Sequence, residues 1–245
     1  MTEARENLRV NLSAGRYTSY AFAVEAAIGQ REMRYLIGRR LRGNSAVTVL
    51  FVLSPANLAG THVCITEDAA DGSCDVLTYV PTMKNPIHLA ERHILGCLPL
   101  TDIGYLDLMA WRYPGLGAVQ DDHQADLSWS QWPRARARSY PGPACTPGLI
   151  VTEATDGPTG LVVARAVERL GAHVRRWEVL ELGHPDIDGL PRRIQVSRPQ
   201  TGHRMELQRT TDPVAIPEAE FDRGPAALSQ AMLNRGVLAV ELPSA

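Results

Sequence analysis

The chain has 245 residues, 44% of them apolar, with 25 basic and 27 acidic side chains and a formal charge of −2. That length can bury a sizeable core in one unit, and the near-neutral balance excludes the basic surplus that nucleic acid or an anionic membrane surface demands. Lys84 is the single lysine against 24 arginines, a bias that, with abundant Ala, Gly and Pro, fits a GC-rich coding sequence.

The first nine residues show no apolar h-region and no small-residue cleavage site. No run approaches the roughly 18 apolar residues that span a bilayer. A soluble, cytoplasmic protein with no membrane partner is expected, and there Cys64, Cys74, Cys97 and Cys145 stay reduced. Cys64 and Cys74 flank the turn at 68–73; they either face one another across a hairpin or serve as small buried hydrophobes.

Residues 3–12 fit a short amphipathic helix. From residue 17 the apolar period becomes two, which predicts strands over 17–26, 31–41, 46–53 and 61–66. Their separators (Ile28-Gly29-Gln30, Gly43-Asn44 and the Pro55 to Gly60 loop) have the spacing of an antiparallel meander, and Asp71-Gly72 turns the chain into a strand over 75–80. This density of β elements excludes a doubly wound α/β architecture. Residues 81–99 have no clean period, and 101–111 read as a short helix capped by Thr101. Together with the residues up to about 132 they form an expected lid over the sheet. Strands return over 149–152, 161–168, 174–182, 192–196 and 204–209, with Gly171 and Asp188-Gly189 as turns. In 161–179 the run of Val162, Val163, Val167, Val174 and Val179 favours strand over helix. Residues 193–207 make one hairpin whose turn, Arg198-Pro199-Gln200-Thr201-Gly202, projects His203 and Arg204 from a strand start. A helix over 221–233 closes the chain, and with no repeat or linker a single domain over 1–245 is expected.

Several stretches carry a resemblance when taken in order: Phe51-Val-Leu-Ser54-Pro55-Ala-Asn-Leu-Ala-Gly60-Thr61, Leu77-Thr-Tyr79-Val-Pro81 and Thr101-Asp102-Ile-Gly-Tyr105-Leu-Asp107-Leu108. Asp186-Ile-Asp188-Gly189-Leu-Pro191, Pro199-Gln-Thr201-Gly202-His203-Arg204-Met-Glu206-Leu207 and Ile216-Pro217-Glu218 before Phe221 continue it. In their order and spacing over about 200 residues the chain resembles the LolA/LolB-like family of outer-membrane lipoprotein-sorting proteins. The resemblance implies a mainly β (α+β) fold: a strongly curved antiparallel sheet, an incomplete β-barrel, covered by short helices. It also implies a concave apolar cavity that in the family receives acyl chains. The sequence departs from the family at the expected mouth, with Leu100 before Thr101, Ile103 after Asp102, and a basic run reduced to Lys84 with Arg92 and His93 beyond it.

Titratable groups cluster around the expected lid: Tyr79, Lys84, His88, Glu91, Arg92, His93, Asp102, Tyr105 and Asp107. A cavity that desolvates one of them moves it toward acid or base work. Asp102 and His203 are the catalytic candidates. Asp102 stands either as a base or as an ordinary acidic residue complementing a helix N-terminus. Tyr79, Lys84, His88, Arg92, Tyr105, Trp111 and Arg204 are candidates for holding a substrate. Arg134, Arg136 and Arg138, if extended, put three guanidiniums on one side, as an anion site or as a charged edge strand. Asp121-Asp122-His123 with Asp126 matches a metal cluster in composition only, and His88 and His93, five apart, do not share a helical face. No metal and no cofactor are expected.

The sequence contains no GxxxxGK[ST] and no GxSxG, so phosphate cradles and nucleophile elbows are unsupported. Two functions lead. One is a cofactor-independent enzyme, or one subunit of an enzyme pair, in a specialised biosynthetic pathway, closing a ring or eliminating an anionic leaving group from a small molecule. The other is a non-catalytic carrier of acyl chains or another lipophilic ligand; a structural role with a small protein partner is a third.

Overall fold

The computed structural model describes residues 18–29, 31–98, 101–120, 127–132, 134–158, 160–183 and 190–235. Its strands are β1 (Ser19–Ile28), β2 (Arg31–Arg42), β3 (Ser45–Ser54), β4 (His62–Asp68), β5 (Ser73–Tyr79), β6 (Ile87–His88), β7 (Arg136–Pro141), β8 (Leu149–Thr155), β9 (Val162–Arg169), β10 (Ala172–Leu182), β11 (Pro191–Arg198), β12 (His203–Arg209) and β13 (Val214–Ala215). The helices are α1 (Glu91–Ile94), α2 (Tyr105–Leu108), α3 (Glu218–Asp222) and α4 (Pro225–Asn234).

All thirteen strands belong to one antiparallel, unclosed sheet, in the order β6-β5-β4-β3-β2-β1-β12-β11-β10-β9-β8-β7, with β13 paired to β1. Every link except β1–β12 and the short β13 joins neighbours in sequence, because turns with glycine at positive φ, such as Gly43 (φ 60°), reverse the chain at once. Laid flat, the ten steps from β5 to β7 would span about 50 Å at the usual strand spacing. Yet Val76 of β5 and Tyr140 of β7 belong to one core, bridged by residues 94–116. The sheet therefore curls around that segment.

The alternation of the strands decides what each face holds. Val24, Tyr35, Leu50, Ile65, Val76, Val151, Val163, Trp177, Val196 and Met205 point into the concave side, against Ile103, Tyr105, Leu106 and Leu108. The out-of-phase set, Ala21, Ala23, Leu36 and Val49, packs on the convex side against Ile216, Phe221, Leu228 and Met232. Gly38 of β2 faces that second layer, and a Cβ there would meet Leu228 Cδ2 at 2.3 Å, so α4 sits down on bare backbone.

The sequence reading needs three corrections, and one alternative it left open is decided. The helix expected over 101–111 shrinks to α2, with Gly104 as N-cap; the Thr101 hydroxyl accepts the Ile103 N–H at 3.1 Å instead of capping, and Asp102 stands in extended chain before the helix. The closing helix is two, α3 and α4, broken at Gly224 (φ 93°). Of the two readings of Cys64 and Cys74 the structure takes the second: Cys64 pairs with Leu77 and Cys74 with Glu67, so the thiols are free, on opposite faces, each packed against an apolar cluster. The strands run past their last apolar residue, as β11 does to Arg198, because the ladder continues through charged positions. The helix expected at 3–12, the Asp121-Asp122-His123/Asp126 group and the Asp188-Gly189 turn lie outside the described residues.

Candidate functional site

Between α2 and the strands β1, β2, β10, β11 and β12 an apolar cleft opens. Its walls are Tyr20, Phe22, Val24, Ile37, Ile103, Leu108, Trp177, Leu190, Pro191, Ile194 and Leu207, and Arg39, Asp107 and Arg209 are the charged residues among them. The strands β1, β2 and β12 contribute alternate residues, as a half-buried sheet must. A second groove is bordered by the charged side chains Glu25, Glu32, Arg34 and Glu206.

α2 is one turn long and cannot hold itself in place; charges on the sheet do so. The Asp107 carboxylate accepts from the Gly104 N–H (2.8 Å), from Arg165 Nη1 (2.5 Å) and from Arg175 Nη2. Arg165 also bonds Glu153 through Nε at 2.8 Å and lies over the Trp177 ring. Arg39 Nη2 donates to the Leu108 carbonyl at 2.7 Å, and Glu67 accepts the N–H groups of Ala110 and Trp111. Burial pulls the Arg175 guanidinium below its ordinary value, while the acidic groups Cys97 and Asp102 oppose that shift.

A second charged cluster lies at the turn end of β11 and β12. Arg198 and His203 stand directly opposite each other, the last pair before the turn. Both reach the same carboxylate: Arg198 Nε donates to Asp102 Oδ1 at 2.5 Å, and His203 Nδ1 bonds Oδ2. From behind, Arg175 Nε holds the Asp102 carbonyl at 2.9 Å. At Arg198 desolvation lowers the guanidinium, but the hydrogen bond and charge of Asp102 outweigh it and the net shift is upward. The structure thus brings Asp102 and His203, 101 positions apart, into contact. They do not line the cleft, because the fully buried Val196 and Met205 stand between them and its walls at Ile194 and Leu207.

The remaining candidates scatter. Tyr105 is a core residue of α2 whose phenol burial pushes upward, and Trp111 packs on Ala46 and Ala110. Tyr79 points to the convex side and stacks on His62, with ring centroids 4.9 Å apart. Lys84, Arg92 and Arg204 are exposed, and so is His88, which bonds Asp75 at 2.8 Å. Arg134, Arg136 and Arg138 are exposed as well, the last two on β7, which is an edge strand. None of these lines the cleft. Sequence reasoning missed Arg39, Glu67, Glu153, Arg165, Arg175, Arg198 and Arg209. Each carries on the inward apolar phase of its strand, as in Val63–Ile65–Glu67 or Met205–Leu207–Arg209, and that phase was the available signal.

No family model and no curated protein matches the sequence. Solved structures do match in fold. A domain named as an outer membrane lipoprotein-sorting protein from Vibrio parahaemolyticus superimposes with a TM-score of 0.67 at 14% identity, over 90% of this chain and 97% of that one. A DUF1329 family protein from Desulfovibrio piger gives 0.62 at 13% identity, over 85% and 91%. A LolA superfamily protein from Nitrosomonas europaea gives 0.54 at 14%, over 88% and 97%. With its curved, unclosed sheet and its short helices, the chain belongs by fold with the LolA/LolB-like half-barrels.

Proposed function

We infer that this half-barrel binds a lipophilic ligand in the cleft beneath α2, as a carrier or binder of acyl chains or another apolar molecule. The observation that carries the reading is the wall itself: apolar side chains of five strands and of the α2 segment converge on one space. Burying each methylene there is worth about 0.8 kcal/mol, so an apolar chain gains affinity with each carbon it places in the cleft, without a charged contact. The likeness to a domain named for lipoprotein sorting supports the same reading. A cofactor-free cyclisation or elimination in this cleft would need a group able to take a proton. Asp107 is the acid on the described wall, and its oxygens are held by two guanidiniums and the Gly104 N–H. The cleft therefore favours binding over catalysis.

Two measurements test this. Native mass spectrometry of protein purified from cells should show a co-purifying lipid adduct. A fluorescent fatty-acid analogue should bind the wild type, and Leu207→Trp, which fills the cleft, should weaken it by tenfold or more. Equal binding by a folded Leu207→Trp variant would reject the cleft as the site.

A further inference from the structure

The two buried carboxylates of the α2 segment are held differently, and the difference has a chemical consequence. Asp107 sits between Arg165 and Arg175, whose side chains are 2% and 7% exposed. Arginine does not give up its proton in a protein, so that cluster holds position and moves nothing. Asp102 is equally buried, its side chain 6% exposed, but its partners Arg198 and His203 are 43% and 41% exposed. One of them is the side chain best suited to gain and lose a proton near neutrality. Arg198 alone would neutralise Asp102, so the second partner is not needed for charge balance.

The geometry at His203 is that of an oriented acid–base group. Asp102 takes Nδ1, which fixes the ring and leaves Nε2 on the opposite edge; among the described residues Nε2 has no hydrogen-bond partner. A buried carboxylate behind Nδ1 holds the useful tautomer and stabilises the imidazolium that forms when Nε2 takes a proton. Arg198, directly across the strand pair, presents an exposed guanidinium beside it. Its planar fork suits a carboxylate. We propose that Arg198, Asp102 and His203 form a proton-transfer site, distinct from the cleft, for small acyl compounds bearing a carboxylate: Arg198 binds the carboxylate, His203 Nε2 is the general base, and Asp102 positions it.

For an activated ester the step is as follows. Nε2 takes a proton from water, and the water oxygen bonds to the ester carbonyl carbon while the C=O π pair moves onto the carbonyl oxygen, to return as the leaving group departs. The bond from that carbon to the leaving oxygen then breaks, the electron pair departs with the phenolate, and Nε2 returns its proton to solvent. Removing a positioned base lowers such a rate by about 10²-fold or more.

The test uses the full chain with two probes, mono-p-nitrophenyl glutarate, which carries a carboxylate, and p-nitrophenyl acetate, which does not. The wild type should prefer the glutarate ester by about tenfold in kcat/KM, which at 1.4 kcal/mol per decade is one modest ionic contact. Arg198→Gln should abolish that preference by raising KM for the glutarate ester alone. Asp102→Asn should lower kcat with KM held and remove a downfield Nδ1 proton resonance from the NMR spectrum, a pattern that a merely structural role would not give. His203→Gln changes an exposed side chain and should leave folding intact, so it decides the matter even if Asp102→Asn does not fold. Loss of turnover to the buffer background supports the proposal. Turnover of the glutarate ester by His203→Gln at the wild-type rate, or a wild type no faster than buffer, overturns it.

Discussion

The two faces of the sheet are covered by short helices in opposite ways. On the convex side α4 sits on Ala21, Ala23, Leu36, Val49 and the bare backbone of Gly38, through Leu228 and Met232, both fully buried. An ion pair that ties this cover to the sheet, Arg40 with Asp222 of α3, is at the rim, with the acid 68% exposed, where such a pair contributes little. On the concave side the α2 segment has apolar contacts too, but its position is set by Asp107, Arg165, Arg175 and Glu153, two negative and two positive charges with no side chain more than 8% exposed. An apolar cover tolerates small slips, whereas a buried quartet of balanced charge has one arrangement in which every member is paired. The cover beside the cleft is thus the one held in a single register.

Breaking the quartet should give the largest effect. Asp107→Asn keeps the size of the side chain and leaves one positive charge uncompensated among groups already out of water. A loss of about 3–5 kcal/mol is expected, read as a lower urea midpoint. A loss under about 1 kcal/mol would mean that water enters the cluster and that the two covers differ less than the burial indicates. On the convex side Leu228→Ala should cost about 2–4 kcal/mol through the cavity it leaves. Fatty-acid binding in the cleft should be unchanged in that variant, since the two layers lie on opposite sides of the sheet.

The faces also differ in how legible they were. The convex layer follows from alternation alone, since Leu36 and Val49 are out of phase with Tyr35 and Leu50 and need a cover, which the closing helix supplies. The curved sheet and the position of the α2 segment were readable through the order of the resembling motifs. The buried charges were not. In β4, Val63–Ile65–Glu67 looks like a strand running out into solvent, because a charge after two inward apolar residues usually marks a strand end. Whether it ends in water or beneath a cover depends on residues 103–111, more than thirty positions away. Asp102 and His203 were both singled out, on separate grounds, but their contact depends on the curl of the sheet, and Arg198 was read as part of a turn.

A close fit should show next in size. A Cβ on Gly38 would overlap Leu228 Cδ2, so Gly38→Ala should cost about 1–3 kcal/mol as an overpacked contact. Paired with Leu228→Val, which removes the clashing atoms, the combined loss should be smaller than the sum of the two single losses, as for residues in direct contact. Simple additivity would mean that α4 moves away freely, and the convex cover would then be looser still.

The smallest effect compares the faces through two thiols on neighbouring strands. Cys64 of β4 faces the convex layer and Cys74 of β5 the concave one, and burial raises both. For Cys64 a hydrogen bond from Thr66 and the charge of Arg40 pull the other way, against a smaller upward push from Asp75. For Cys74 the charges of Glu67 and Asp75 add to burial, and the thiol is pushed up to about 12. A thiolate is therefore least welcome beside the acidic group that holds Ala110 and Trp111. Iodoacetamide at mildly alkaline pH should modify exposed Cys145 first, then Cys64, and Cys74 last, since only the thiolate reacts. The sign for stability is the same: a thiol raised in the fold contributes fully below its unfolded value of about 9, and that contribution is lost as pH climbs toward 12. Cys74→Ala should therefore flatten part of the alkaline fall in the urea midpoint, with buried Tyr113, also raised by burial to about 12, carrying another part. If Cys74 were modified as fast as Cys64, the acidic contacts of the concave side would not be felt at β5, and the contrast between the faces would end at Glu67.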